Sequence, residues 1–561
     1  MAKKTSSPSK GKSASGAKSG TARAARTTRT KPETKSKPET TELAVRVRMY
    51  CQGLGDCFLL TFPPGPGSTR PLRVMIDCGV FQFSPGEANK LGQVTRSIRD
   101  ETDGKIDLLI ITHEHWDHIS GFAHCQEIFD DFEFKRIWMS WAENLDDPDS
   151  KQVKTELGKK QARLRAAVKQ ALLRLDSSLE ANSGNPFTAR LRDDMISAES
   201  VLEFFGPEED DAGGLALAGD GGRTARGTAG KRRTLDDTMN WLRERVKPGD
   251  FCSPGECRPL PGASGVKVYV LGPPRSVKSI RKVNPSRGQT FGHLTERVSL
   301  LGALDWMASN EGADPPGPFD DRHRLSPEDA RLDPFFREIY GFPDDPLGDE
   351  GPIWRRIDDE WLGGIGHLAL QLDTGVNNTS LALAFELPDG RTLIFPGDAQ
   401  VGNWLSWAEV TFKDGTGREL FVTVQQLLNR AVLYKVGHHG SHNATLKPGG
   451  LEEMTSAELV AMIPTDEAFA KTKRPPADGW KMPSFELYEA LTTFTHHRIL
   501  RADQGATDLD AEVGNDAASP RWKEFRGRVT FAEETFTADP KDLGPPKPLY
   551  VEYTIPFEVI R

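Results

Sequence analysis

Thr112-His113-Glu114-His115-Trp116-Asp117-His118 directly follows the apolar stretch Ile106 to Ile111. That order predicts a buried strand ending in a polar loop. The loop places three imidazoles and two carboxylates within six residues and holds three of the 12 histidines in 561 residues, so a chance polar turn is a poor account of it. On a tight loop His113 and His115 stand two apart and can point the same way, while Asp117 and His118 emerge at the next bend toward a second position. Imidazole with carboxylate suits zinc, manganese or iron, and the pattern predicts a site for two divalent ions.

Other stretches extend the pattern. Upstream lie Gln52-Gly53-Leu54-Gly55-Asp56-Cys57-Phe58-Leu59-Leu60 and Val74-Met75-Ile76-Asp77-Cys78-Gly79. Downstream come Asn377-Asn378-Thr379-Ser380, then Leu393-Ile394-Phe395-Pro396-Gly397-Asp398, then Lys435-Val436-Gly437-His438-His439-Gly440-Ser441, and finally Arg498-Ile499-Leu500-Arg501-Ala502-Asp503-Gln504-Gly505. Gly397 lets the backbone turn sharply after an apolar strand, which leaves the Asp398 carboxylate at the strand end, where it could bridge two cations. His438 follows a second apolar strand, Ala431 to Val436, and is assigned to the metal, with His439 kept as a substrate contact or proton donor. Sequence order alone leaves this pair interchangeable.

The His-x-His-x-Asp-His run resembles the signature of the metallo-β-lactamase superfamily. The ordered set of motifs is similar to the hydrolase domain of ComEC-type competence proteins, over about residues 45 to 135 and 365 to 510. The resemblance implies an αββα sandwich, two sheets with helices outside. It also implies that Asp117 binds one metal and orients the attacking hydroxide while Asp398 holds the pair together. Two bridged cations make hydroxide near neutral pH and polarise an ester, so hydrolysis is the expected chemistry. One departure stands out: the superfamily usually supplies a histidine about twenty residues before the bridging aspartate, where this chain has Asn377-Asn378. His367 precedes Asp398 by 31 residues. Asn378 offers either a carbonyl oxygen to a metal or a turn. With only His113, His115 and Asp398 as strong ligands, the first position binds more weakly than the second, and manganese becomes as plausible as zinc. Ser441 reads as a turn or cap residue rather than a nucleophile.

Hydrophobic content of 37% supports a large core, while 53 glycines and 39 prolines predict much loop. No window approaches eighteen consecutive apolar residues and no apolar stretch follows the charged start, so a soluble cytoplasmic protein with no membrane partner is expected. The six scattered cysteines read as buried free thiols of a reducing compartment; Cys252 and Cys257 have no second pair to complete a metal knuckle.

Residues 1 to 42 carry eleven Lys and Arg against Glu33, Glu39 and Glu42, a net of +8, which leaves −17 for residues 43 to 561 of a chain at −9. With almost no large apolar side chain this tail is expected to be disordered, and it either contacts nucleic acid or solubilises the chain. The hydrolase domain, residues 43 to 561, is expected to be interrupted by a largely helical insertion at about 140 to 360. Within it, Lys151 to Asp176 carries eight Lys or Arg, with Val153, Leu157, Leu164, Val168, Leu172 and Leu175 at helical spacing. The basic face is either a guide for a phosphate backbone or merely solvated. A glycine-rich link (212 to 230), a second helical pattern on Leu235, Met239, Leu242 and Val246, and a core strand at Val266 to Leu271 follow. The acidic, proline-rich stretch Asn310 to Glu350 reads as a lid or surface loop, and Lys471 to Pro483, with Trp480, as a substrate contact or a packing element. The favoured activity is metal-dependent hydrolysis of a phosphodiester in DNA or a nucleotide. The alternatives are hydrolysis of a small-molecule ester, lactone or thioester, and a catalytically weak metal-dependent binding or sensing module.

Overall fold

Successive side chains of a strand point to opposite faces, and the apolar runs sort themselves on that rule into two stacked sheets. A computed structural model describes residues 40–179, 200–207, 233–282, 289–290, 333–335, 372–473, 479–513, 517–542 and 545–560. The basic tail to residue 39, the glycine-rich link, His367 and all of 310–350 except 333–335 lie outside the described residues. One unit runs from Glu42 to Val559.

The first sheet has the order Val529–Phe531, Tyr550–Ile560, Thr40–Tyr50, Phe58–Phe62, Leu72–Ile76, Leu108–Ile110, Ile137–Ser140, Phe251–Cys252. Thr40–Tyr50, Phe58–Phe62 and Leu72–Ile76 form an antiparallel meander. From Leu72–Ile76 onward the pairing is parallel, with Ile76 opposite Ile110 and Ile110 opposite Trp138. That register brings Asp77 and the histidine loop to one edge. The second sheet has the order Ile499–Arg501, Val460–Ile463, Ala431–Lys435, Thr392–Phe395, Ala382–Glu386, Lys267–Gly272, Cys257–Pro259. Its first four strands are parallel, so Asp398 and the His438-His439 pair also leave at a common edge.

Leu383, Phe385, Leu393, Phe395 and Leu433 share a core with the first sheet, while their neighbours Ala382, Ala384, Ile394 and Tyr434 pack with Trp404, Leu427 and Leu491 of the outer helices. Phe58 meets Phe395 edge to face at 5.6 Å between the sheets. Helices Glu87–Thr102 and Trp116–His124 cover the first sheet through Leu91, Val94, Ile98, Ile119 and Phe122. The described residues thus form an αββα sandwich, two sheets with helices outside, as expected.

Helix Pro148–Leu179 buries Val153, Leu157, Leu164 and Val168, four of the positions its spacing predicts, while the side chains of Leu172 and Leu175 lie outside those described. These side chains join Trp141, Phe204, Phe205, Leu372 and Val376 in a second core. Helix Leu235–Arg243 begins at a capping box between Thr234 and Asp237 and buries Leu235, Met239 and Leu242. Strands at 251–272 belong to the two sheets, so the segment expected as an insertion rejoins the scaffold well before residue 360. All six cysteines are free and buried. Among the described residues no helix is long and apolar enough to cross a membrane.

Candidate metal centre

Asp77 ends the strand Leu72–Ile76 with a left-handed φ of 54°. Its carboxylate accepts hydrogen bonds from the Thr112 amide (2.8 Å) and hydroxyl (2.6 Å) and faces His118 Nδ1 at 2.8 Å. A Cβ on Gly79 would stand 2.3 Å from the Asp117 carbonyl carbon, so only glycine permits this turn to press against the histidine loop. The carboxylate partner holds the His118 Nδ1 proton and points Nε2 at Asp398 Oδ2, 3.1 Å away, and Asp117 Oδ2, 3.7 Å away. Thr112 gives its hydroxyl proton to Asp77, so at 3.1 Å it accepts from His113 Nδ1. His113 Nε2 is thereby left free among the described residues.

Gly397, at φ 60° and with room for a Cβ only 3.0 Å from Thr112, makes the turn that its position before Asp398 predicts. Asp398 Oδ1 accepts from Lys435 Nζ and from the His438 amide, both at 2.9 Å, which turns Oδ2 toward His118 and, at 3.6 Å, His439. Lys435 Nζ also lies 2.5 Å from Asp56 Oδ2. Burial opposes charge at Asp398, but Lys435, His118 and His439 hold its carboxyl well below the usual range. Burial pushes Asp56 up to about 6 against the pull of Lys435.

His438 and His439 adopt φ of 43° and 53°, a region that costs a non-glycine residue about 1–3 kcal/mol and recurs at functional sites. The result is that the two rings diverge. His439 Nδ1 lies 2.7 Å from the Pro464 carbonyl, which can only accept, so Nε2 is the atom presented to Asp117 Oδ2 at 2.7 Å. Burial works against charge there, yet Asp398 and Asp117 raise the His439 pKa above its ordinary value. His438 Nδ1 instead accepts from Gln400 Nε2 at 3.1 Å. The Gln400 amide is oriented by Asn443 (2.8 Å), and Asn443 by the Ser441 hydroxyl (2.9 Å). This relay places the His438 proton on Nε2, and burial lowers the pKa of the ring to about 4. His439, not His438, therefore enters the group that residue spacing assigns to His438. Ser441 supports the relay through its hydroxyl. Asn378 donates to the Ile280 and Lys282 carbonyls and accepts from the Asn403 amide, so its side chain holds a turn.

Ligand atoms of Asp117, His118, Asp398 and His439 all lie within 4.8 Å of one another, fully buried. His113 and His115 adjoin them, the His113 ring being 4.2 Å from that of His118 and 4.8 Å from that of His115. Among the described residues, Nε2 of His113, His115 and His118, Asp117 Oδ1 and Asp398 Oδ2 are buried without a hydrogen-bond partner. Leaving such atoms unpaired costs about 1–3 kcal/mol each; the donor types and their convergence fit divalent cations.

Asp56, Asp373, Gln400 and Lys435 also face this centre. Asp373 precedes Asp398 by 25 residues and Lys435 stands three before His438, but a single charged residue at such a distance carries no periodic signal. Gln400 carries no recognisable signal.

The centre is roofed. Phe204 lies 5.5 Å from His115 and 6.1 Å from His438, Phe205 lies 5.0 Å from His115, and Trp480 stacks on Phe204 at 5.7 Å. Arg165 of helix Pro148–Leu179 donates to the carbonyls of Phe205 and Gly206.

Residues 72–134 match the metallo-beta-lactamase superfamily. The matched segment contains Asp77 and the whole histidine loop. No curated protein and no solved structure matches the chain. The superfamily match and the buried His/Asp groups together point to a metal-dependent hydrolase.

Proposed function

We propose that this protein is a phosphodiesterase acting on DNA or a nucleotide through two divalent ions, zinc or manganese. The observation that carries the reading is the buried group Asp117, His118, Asp398 and His439 beside His113 and His115, in a loop whose Glu114 pairs with Lys154 of a helix that exposes Lys151, Lys159 and Lys160. Divalent ions in such a centre supply Lewis-acid polarisation of phosphoryl oxygens and hydroxide at neutral pH. His113, His115, Asp117, His118, Asp398 and His439 are the residues that would hold them. The remaining work falls to the chain itself. Lys435 keeps Asp398 ionised and fixed, and His438, neutral with its proton on Nε2, is a hydrogen-bond donor to the leaving oxygen. The exposed lysines steer an anionic backbone toward the roofed edge, and the basic tail adds attraction that salt weakens. The order of motifs, similar to the ComEC-type hydrolase domain, supports the same substrate class.

Enclosure by Phe204, Phe205 and Trp480 favours a second reading, hydrolysis of a small ester, lactone or thioester. Metal-stripped protein, reloaded with manganese or zinc, is assayed on single- and double-stranded DNA, bis-p-nitrophenyl phosphate, a lactone and a thioester, with Asp398→Ala alongside. Metal-restored phosphodiester cleavage that the variant lacks supports the first reading. Turnover confined to the lactone or thioester replaces it with the second.

A further inference from the structure

We infer that Asp373 is a metal ligand, completing the first position with His113, His115 and Asp398 where the superfamily pattern has a histidine. The inference rests on the metallo-hydrolase reading. Asp373 lies on the helical turn 372–377 and is buried, at 3% exposure. Its two oxygens have different surroundings. Oδ2 accepts from Asn377 Nδ2 at 3.0 Å and lies 3.9 Å from His438 Nε2. Among the described residues Oδ1 has no hydrogen-bond partner, and it lies 3.9 Å from His115 Nε2, which has none among them either. Two donors that each reach one ion at about 2.0–2.2 Å stand no more than about 4.2 Å apart, so the 3.9 Å between Asp373 Oδ1 and His115 Nε2 is within the reach of a single cation.

Geometry also gives the Asn377-Asn378 pair its purpose. Asn378 anchors the turn to Ile280 and Lys282, and Asn377 fixes the carboxylate one helical turn earlier, as an outer partner orients a ligand. A free carboxylate would be unfavourable at this place, because burial and the charges of Asp117 and Asp398 oppose it. A divalent cation removes that conflict. With Asp373 and Asp398 both contributing, the first position is harder and more anionic than a three-histidine site, which moves its preference from zinc toward manganese or ferrous iron.

The test is metal stoichiometry and affinity of the full chain, by elemental analysis and calorimetry with manganese and with zinc, plus manganese electron paramagnetic resonance. Variants are Asp373→Asn, close to isosteric and checked for an unchanged melting profile, Asp373→His and His113→Ala. Wild type is expected to bind two manganese ions with a coupled spectrum. Asp373→Asn is expected to weaken one of them on the order of 100-fold or more, since even outer partners are worth about 10–100-fold, and to give an isolated-ion spectrum. Asp373→His is expected to restore two ions with zinc favoured. Folded Asp373→Asn that keeps two ions at wild-type affinity overturns the assignment. If His113→Ala loses an ion while Asp373→Asn does not, this inference alone fails. If wild type binds no divalent ion, the metallo-hydrolase reading fails with it.

Discussion

His439 Nε2 lies 2.7 Å from Asp117 Oδ2 across 322 residues of chain, which joins the loop edges of the two sheets at one point. Its neighbour His438 faces the opposite way in hydrogen-bond terms, accepting at Nδ1 rather than donating. The two alanine variants should therefore separate. His439→Ala is expected to lose a bound ion. His438→Ala is expected to keep both ions and lose about 10²–10³-fold in turnover of DNA, the scale of removing one preorganised hydrogen-bond donor to developing charge. The loss should be smaller on bis-p-nitrophenyl phosphate, whose leaving oxygen develops less charge and gains less from a hydrogen bond. Elemental analysis with parallel assays on the two substrates decides it, and loss of an ion in His438→Ala would contradict the assignment.

Lys435 sits between Asp56 and Asp398, all three buried. Removing the cation leaves two buried carboxylates facing each other, so Lys435→Met should destabilise the fold by about 3–5 kcal/mol. Asp56→Asn in the same chain should recover part of that loss. Urea unfolding of both single variants and the double variant measures the coupling; simple additivity would show that the three groups act independently.

Much of this was legible because local chemistry dictated it. The histidine loop, the glycine turn before Asp398 and the apolar face of helix Pro148–Leu179 follow from spacing alone, since strand and helix periods determine which side chains share a face. The His438-His439 order was not, because it depends on what each Nδ1 meets: Pro464 and Gln400 are close only after the second sheet has formed. Asp373 was hidden for a related reason. A lone aspartate carries no periodic signal, and it reaches His115 only because the turn at 372–377 packs beside the loop. The strands at 251–272 were partly masked by the composition of the helical segment around them, and only Val266 to Leu271 had a strand-like run of β-branched residues.

Phe204 packs on His115, His438, Phe81 and Trp480, which makes it both a core residue and the cover of the centre. Truncation should act on both roles. Phe204→Ala is expected to lower stability by about 3–5 kcal/mol, the range for deleting a buried phenyl ring, and to speed removal of bound metal by a chelator. Unfolding and metal-release rates are measured on the same preparation. An unchanged release rate would mean that ions exchange by a route that avoids the roof.

Glu143 ties the helical segment to the metal loop. Its carboxylate accepts from Lys154 Nζ at 2.7 Å and from Arg243 at 2.6 Å, and both cations also hold Glu114, the residue between His113 and His115. Burial would raise the Glu143 pKa, but Lys154 and Arg243 outweigh it and lower it below the ordinary 4.5. A carboxyl depressed in the folded state binds its proton more readily when unfolded, so its stabilisation is fully present above the unfolded value and is lost as pH falls through the folded one. Glu143→Gln should cost about 1.5–3 kcal/mol at pH 7, the scale of hydrogen bonds to charged groups. The deficit relative to wild type should shrink steadily as pH is lowered below about 4.5. Urea unfolding of both proteins from pH 7 to about 3 reads this directly. A deficit that stays constant across the range would mean that the Glu143 charge contributes nothing and that the cost is one of packing alone.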